Sequence, residues 1–181
     1  MIPKPNEFSI LIPFHSRIDL LLPLLDSLKN FSVLVVNDGG FDIKNIPNNV
    51  RIIKNKRASF ARSVNKGLEL LEKEGVLNAL VLNDDCTISS KDLEVLQRNI
   101  DKKTLLSPVI HCREKYFYGA SIRSWGRIQL LEEASIPDAL LGTCLMIPTT
   151  LRFDEGYPHG FEDLELSIRA KKNGYTLKIK K

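Results

Sequence analysis

Residues 79–85 read Ala79-Leu80-Val81-Leu82-Asn83-Asp84-Asp85, an apolar run of strand length halted by three polar side chains. A run with no polar face belongs inside a sheet covered on both sides, as in mostly parallel sheets. The halt is turn chemistry, because Asn and Asp side chains bond nearby backbone and break a strand. The pairing recurs upstream. Phe8-Ser9-Ile10-Leu11-Ile12-Pro13 runs into Phe14-His15, and Val33-Leu34-Val35-Val36 ends at Asn37-Asp38-Gly39-Gly40. Arg51-Ile52-Ile53 is a shorter member of the series.

Between these runs the apolar spacing turns helical. Ile18, Leu21, Leu22, Leu25 and Leu28 predict a helix in which Pro23 marks a late start or a bend. Ala61, Val64, Leu68 and Leu71 predict a second over 60–73, closed by Gly75. Ser89-Ser90-Lys91-Asp92 supplies the cap and acidic first turn of a third. Further on, Leu105 to Ile110, Tyr116 to Ile122, Leu140 to Ile147 and Tyr175 to Ile179 read as strands. Phe161 to Lys172 reads as a helix ended by Asn173-Gly174. The order β-α-β-β-α-β-α predicts an α/β fold, a mostly parallel central sheet with helices on both faces. Ligands of such sheets bind beyond the carboxyl ends of the strands, where His15, Asp38, Asp84 and Asp85 fall.

Composition bounds the rest. The chain has 181 residues, 43% hydrophobic and 27% charged, which predicts one core and one domain over 1–181 and argues against disorder or coiled coil. Lys+Arg 26 against Asp+Glu 22 leaves +4, and no nucleic-acid motif accompanies that charge. The basic clusters, Lys54, Lys56 and Arg57 and then Arg169 to Lys181, read as a solvated face or as attraction to an anionic membrane surface. Cys86, Cys112 and Cys144 have no paired spacing, which predicts a reduced, cytoplasmic setting. No segment has transmembrane length, and the start lacks signal-peptide order. Phosphate-loop, dinucleotide and serine-hydrolase motifs are absent from the sequence, and His15, His111 and His159 lack zinc spacing.

Three acidic stretches carry the chemistry. Asp84 and Asp85 repel each other, an arrangement that persists most easily beside a cation such as Mg²⁺ or Mn²⁺; equally, they cap a turn. Asp38 has two readings too, as an acceptor for a ribose hydroxyl or base N–H and as turn chemistry. Phe161-Glu162-Asp163-Leu164-Glu165 complements a helix dipole, or offers a general base for an attacking hydroxyl.

Six stretches, in order from residue 8 to 179, resemble the GT-A-fold glycosyltransferases of family two, in particular their rhamnosyltransferase-like branch. They are Phe8 to Arg17, Val35 to Gly40, Ser59 to Leu68, Val81 to Asp85, Leu141 to Met146 with Arg152 to Gly156, and Phe161 to Leu166 with Arg169 and Gly174-Tyr175. The resemblance implies inverting transfer of a sugar from a UDP-, GDP- or dTDP-linked donor to a glycan or lipid-linked acceptor, with Mn²⁺ or Mg²⁺. Carried over by position, Pro13, Phe14, His15, Arg17, Asp38, Asn65, Asn83 and Asp84 would bind the nucleotide sugar. Asp85 would bind the metal, and Asp163 would be the general base with Glu162 beside it. Tyr118, Gly119, Gly142 and Thr143 would shape the donor-sugar or acceptor region. Asn37, Asn83, His15 and Ser16 depart from the family pattern. Family members commonly continue past Lys181 to a His that completes the metal site. The expectation is a missing C-terminal segment, a site completed by water, or impaired activity. To the cytoplasmic setting read from the cysteines, the basic tail from Arg169 to Lys181 adds an expected peripheral contact at the inner face of the membrane. Two alternatives stand beside the transferase: a nucleotide-sugar-binding module with little turnover, and a nucleotidylyltransferase. The latter would need a Gly-rich, basic phosphate loop that His15-Ser16-Arg17 does not supply.

Overall fold

The computed structural model describes residues 8–56, 59–157 and 160–180; Arg57, His159 and Lys181 lie outside them. Strands β1 (Phe8–Phe14), β2 (Val33–Asn37), β3 (Val50–Lys54) and β4 (Asn78–Leu82) form on the apolar runs. Helix α1 (Ile18–Ser27) follows β1 and runs through Pro23. Helix α2 (Phe60–Lys73) lies between β3 and β4, capped by Ser59, whose hydroxyl accepts from the Arg62 N–H. Helix α3 (Ser90–Arg98) is capped likewise by Ser89.

The second half departs from the sequence reading. The run from Leu105 divides into β5 (Thr104–Pro108) and a short β6 (Ile110–Cys112). Tyr116 to Ile122 is not one strand: it belongs to β7 (Lys115–Phe117) and β8 (Ala120–Ile122), each in its own hairpin. The cause is Gly119, at φ +89, where an added Cβ would stand 2.6 Å from the Ala139 carbonyl oxygen. A 3₁₀ turn, Ser124–Gly126, joins β8 to β9 (Ile128–Leu130). Strand β10 spans Cys144–Pro148, not Leu140 onward. Before it, the Leu140 and Gly142 N–H groups donate to side chains of α4 (Glu162–Lys172), Ser167 Oγ and Asp163 Oδ2, and so make no ladder. Strand β11 covers Thr176–Lys180.

Seven strands share one sheet in the order β11-β5-β10-β4-β1-β2-β3, parallel except for β10. Alternate residues serve opposite faces. Ile10, Ile12, Val33, Val35, Leu80 and Leu82 pack with α1 and α3. Leu11, Leu34, Val36, Ala79 and Val81 pack with α2 and α4. Both faces are therefore dry, which explains strands without polar alternation.

The direction of β10 decides where the site forms. It runs antiparallel to β4, with Cys144 opposite Leu82. Its amino end, preceded by Gly142-Thr143, thus meets the carboxyl end of β4, where Asn83-Asp84-Asp85 emerge.

Candidate active site at the carboxyl edge of the sheet

Asp38, buried just past β2, is held from two sides. His15 Nδ1 lies 2.8 Å from Asp38 Oδ1, and the Ser63 hydroxyl of α2 donates to Oδ2 at 2.8 Å. Ser63 is buried and was not singled out by sequence. Its only signal is a hydroxyl on the apolar face of α2. The Asp38 N–H donates to the Phe14 carbonyl at 3.0 Å, locking the β2 exit to the β1 exit. Gly39 is required by close approach: a Cβ there would stand 1.6 Å from the His15 carbonyl oxygen.

The acidic step joins this network through the backbone. The His15 N–H donates to the Asp84 carboxylate, whose affinity for its proton is raised by burial first and by the charge of Asp85 second. Arg17 partly offsets both carboxylates, although its guanidinium is paired bidentately with Asp19 at 2.8 and 3.0 Å. The Cys86 thiol, half-buried and beside Asp85, is pushed up to about 12 and stays protonated. Asn83 donates its N–H to the Thr143 carbonyl at 3.1 Å, while its side-chain oxygen is buried with no partner. That orphan acceptor faces a cost unless a ligand donor meets it.

The third carboxylate arrives along the same thread. The Gly142 N–H donates to Asp163 Oδ2 at 2.8 Å, and the Leu164 N–H donates to Oδ1 at 2.8 Å. A Cβ on Gly142 would sit 3.1 Å from the Asp163 Cβ, so glycine lets the carboxylate seat there. Glu162 is half-buried with an unpartnered Oε2; burial, then Asp163, raises its proton affinity.

Two sequence-selected residues are placed differently from expectation. Phe14 points into the core, edge-on to Phe41, and offers only backbone at the edge. Asn65 is committed elsewhere: its amide nitrogen donates to the Phe153 carbonyl and to Glu155, and its oxygen accepts the Phe153 N–H. It clamps the segment after β10 to α2. Pro13 ends up half-buried beside His15 at the end of β1.

Among the described residues no three His, Cys, Asp or Glu side chains gather as a metal cluster. Asp84 and Asp85 nonetheless fit a hard divalent ion, which is commonly held by one or two carboxylates plus waters and substrate phosphates. The elevated proton affinity of Asp84 beside Asp85 is the mark of charge that a cation would neutralise.

The family model described as Glycosyl transferase family 2 matches residues 9–152. The chain belongs to that family. No curated protein matches the sequence of this glycosyltransferase. Two solved structures share its fold. A197 from STIV superposes with a TM-score of 0.56 at 14% identity, covering 96% of this chain and 81% of that one. The 4-diphosphocytidyl-2C-methyl-D-erythritol synthase from Anaerococcus prevotii DSM 20548 superposes with a TM-score of 0.56 at 12% identity, covering 97% of this chain and 86% of that one. The glycosyltransferase thus has a mixed α/β, GT-A-like fold with a mostly parallel, helix-flanked sheet. Among its described residues no helix is long and apolar enough to cross a membrane.

Proposed function

We propose that this family 2 glycosyltransferase moves a hexosyl or deoxyhexosyl unit from a nucleotide-sugar donor to an acceptor hydroxyl with inversion at the anomeric carbon. The observation that carries this is the hydrogen-bonded thread Asn83–Thr143 and Gly142–Asp163, which joins the acidic step to a fixed carboxylate. His15, Asp38 and Asn83 line the nucleotide side, the buried Asn83 oxygen being an acceptor in want of a donor. Asp163 takes the proton of the acceptor hydroxyl as its oxygen bonds to the anomeric carbon. The bond from that carbon to the diphosphate breaks, and the nucleoside diphosphate leaves with the bonding pair. Two backbone N–H groups hold the Asp163 carboxylate and leave lone pairs on both oxygens for the incoming hydroxyl. Asp85, with Asp84 alongside, would hold Mg²⁺ or Mn²⁺, which would supply positive charge against the diphosphate.

In this reading the 181 residues work as one unit, in the cytoplasm at the inner face of the membrane, and the motifs fit the rhamnosyltransferase-like branch best. Asp163→Asn keeps the shape and one of the two N–H contacts but removes the base. The variant should lose about a hundredfold to ten-thousandfold in transfer, with donor affinity by calorimetry unchanged. Undiminished transfer would overturn the assignment. A nucleotide-sugar-binding module is the second reading, favoured because among the described residues no third carboxylate, His or Cys gathers with Asp84 and Asp85. It predicts donor binding with no turnover in the parent chain.

A further inference from the structure

The outermost strand of the sheet has an unmet edge. Among the described residues β11 pairs with β5 on one side and with no strand on the other. The Thr176 N–H donates to the Lys103 carbonyl at 2.8 Å, and the Lys180 carbonyl accepts the Val109 N–H at 3.0 Å. Alternate residues of a strand aim their backbone groups to opposite sides, so Thr176, Lys178 and Lys180 turn theirs to β5. Leu177 and Ile179 turn theirs outward, where among the described residues no backbone bond meets them. The opposite edge of the sheet is partly satisfied within the chain. There the Val50 N–H donates to the Pro47 carbonyl at 3.0 Å, and the Lys54 carbonyl accepts from the Lys66 ammonium at 2.7 Å.

A groove of about 300 Å³ runs beside the β11 edge. Four consecutive strand residues, Leu177 to Lys180, line it. Successive side chains point to opposite faces, so a cavity that touches all four lies along the edge and not over either face. Its far wall is the segment Ala134 to Pro137, whose Ile136 is 92% exposed. Leu177 and Ile179 pack on the face that holds Leu105, which leaves Lys178 and Lys180 on the other. Neither lysine pairs with a carboxylate among the described residues. That arrangement disfavours two occupants. A second copy, paired edge to edge with its apolar face on the same side, would set lysine beside lysine, and lysines on an edge strand guard against such pairing. A membrane surface is too flat to enter a walled groove, and it offers no ladder of donors and acceptors to Leu177 and Ile179.

We infer that β11 takes an acidic, extended segment of a partner protein as an eighth strand of the sheet. The backbone of that segment bonds Leu177 and Ile179, and its apolar residues join their side chains and Ile136. Its carboxylates alternate onto the face of Lys178 and Lys180. Two of the basic residues between Arg169 and Lys181 thereby gain a role apart from the reaction, one that stands whatever the role of Asp163.

The test adds a labelled peptide, alternating Glu and Val over seven residues, to the full chain and follows its fluorescence anisotropy. Saturable binding is expected. Amide exchange read by NMR should slow at Leu177 and Ile179 but not at Lys178, which β5 already protects. The same peptide N-methylated at alternate residues keeps its charge but cannot pair, so its binding should fall at least about tenfold. Lys178→Glu with Lys180→Glu, both outside the core, should weaken the unmodified peptide about tenfold. The N-methylated peptide tests the pairing on the unaltered chain, independently of how the double variant folds. No saturable binding, equal binding by the N-methylated peptide, or unmoved affinity in the folded double variant would each overturn the inference. So would phosphatidylglycerol vesicles binding where the peptide does not, or a dimer of the parent chain in which Leu177 and Ile179 are protected without peptide.

Discussion

Glu162 shows what the site costs the fold. Burial and the neighbouring Asp163 raise its carboxyl above the ordinary value of 4.5. Between those two values the folded chain holds more protons than the unfolded one, so stability falls as pH rises through that window. Glu162→Gln, neutral at every pH, should therefore raise Tm at neutral pH by more than in acid, as scanning calorimetry at both would read. Gly39 is the steric counterpart. Ala there drives a Cβ onto the His15 carbonyl, so Gly39→Ala should cost about 3 kcal/mol in urea unfolding and weaken donor binding. The sequence made Asp38, Asp84 and Asp85 legible because they halt apolar strands, and Glu162 and Asp163 because they open a helix. It did not make the roles of Ser63 or Gly39 legible, because both depend on a distant segment arriving against them. Phe14 and Asn65 were over-read for the same reason: residue type and motif position were right for a pocket, but one side chain packs inward and the other ties down Phe153.

At the scale of elements, β1 to β4 and their helices were readable because dry strands stop at polar turns and amphipathic helices keep one period. The hairpins were not. Tyr116 to Ile122 has strand composition throughout, and only the positive φ at Gly119 divides it. Strand β9 is three exposed residues, too short to show a period. The antiparallel direction of β10 has no local signature, since an apolar run reads the same either way. Helix α1 tolerates Pro23 on its exposed side, where the ring removes one N–H from the ladder. Pro23→Ala restores that bond at some cost in unfolded-state entropy, for a net gain of about 1–2 kcal/mol measurable by urea unfolding.

For the whole molecule, the site is shared between segments far apart in sequence, so ligand and fold are thermodynamically linked. A donor sugar at a hundred times its Kd should add about 2.7 kcal/mol of stability. The rise in Tm should appear with one of the UDP-, GDP- or dTDP-sugars and require Mn²⁺. An equal rise without the ion would remove Asp84 and Asp85 from the metal role. The central position of β10 has a different consequence, for the chain as it is made. Strand β4 keeps an open edge until Cys144–Pro148 has left the ribosome, because β10 is its partner on that side. Throughout that interval a β-edge that is apolar but for Asn78 faces the crowded cell. Folding of this enzyme thus waits on the synthesis of β10. A ribosome-stalled chain ending before residue 144 should be captured by chaperones, where one released after β11 is not.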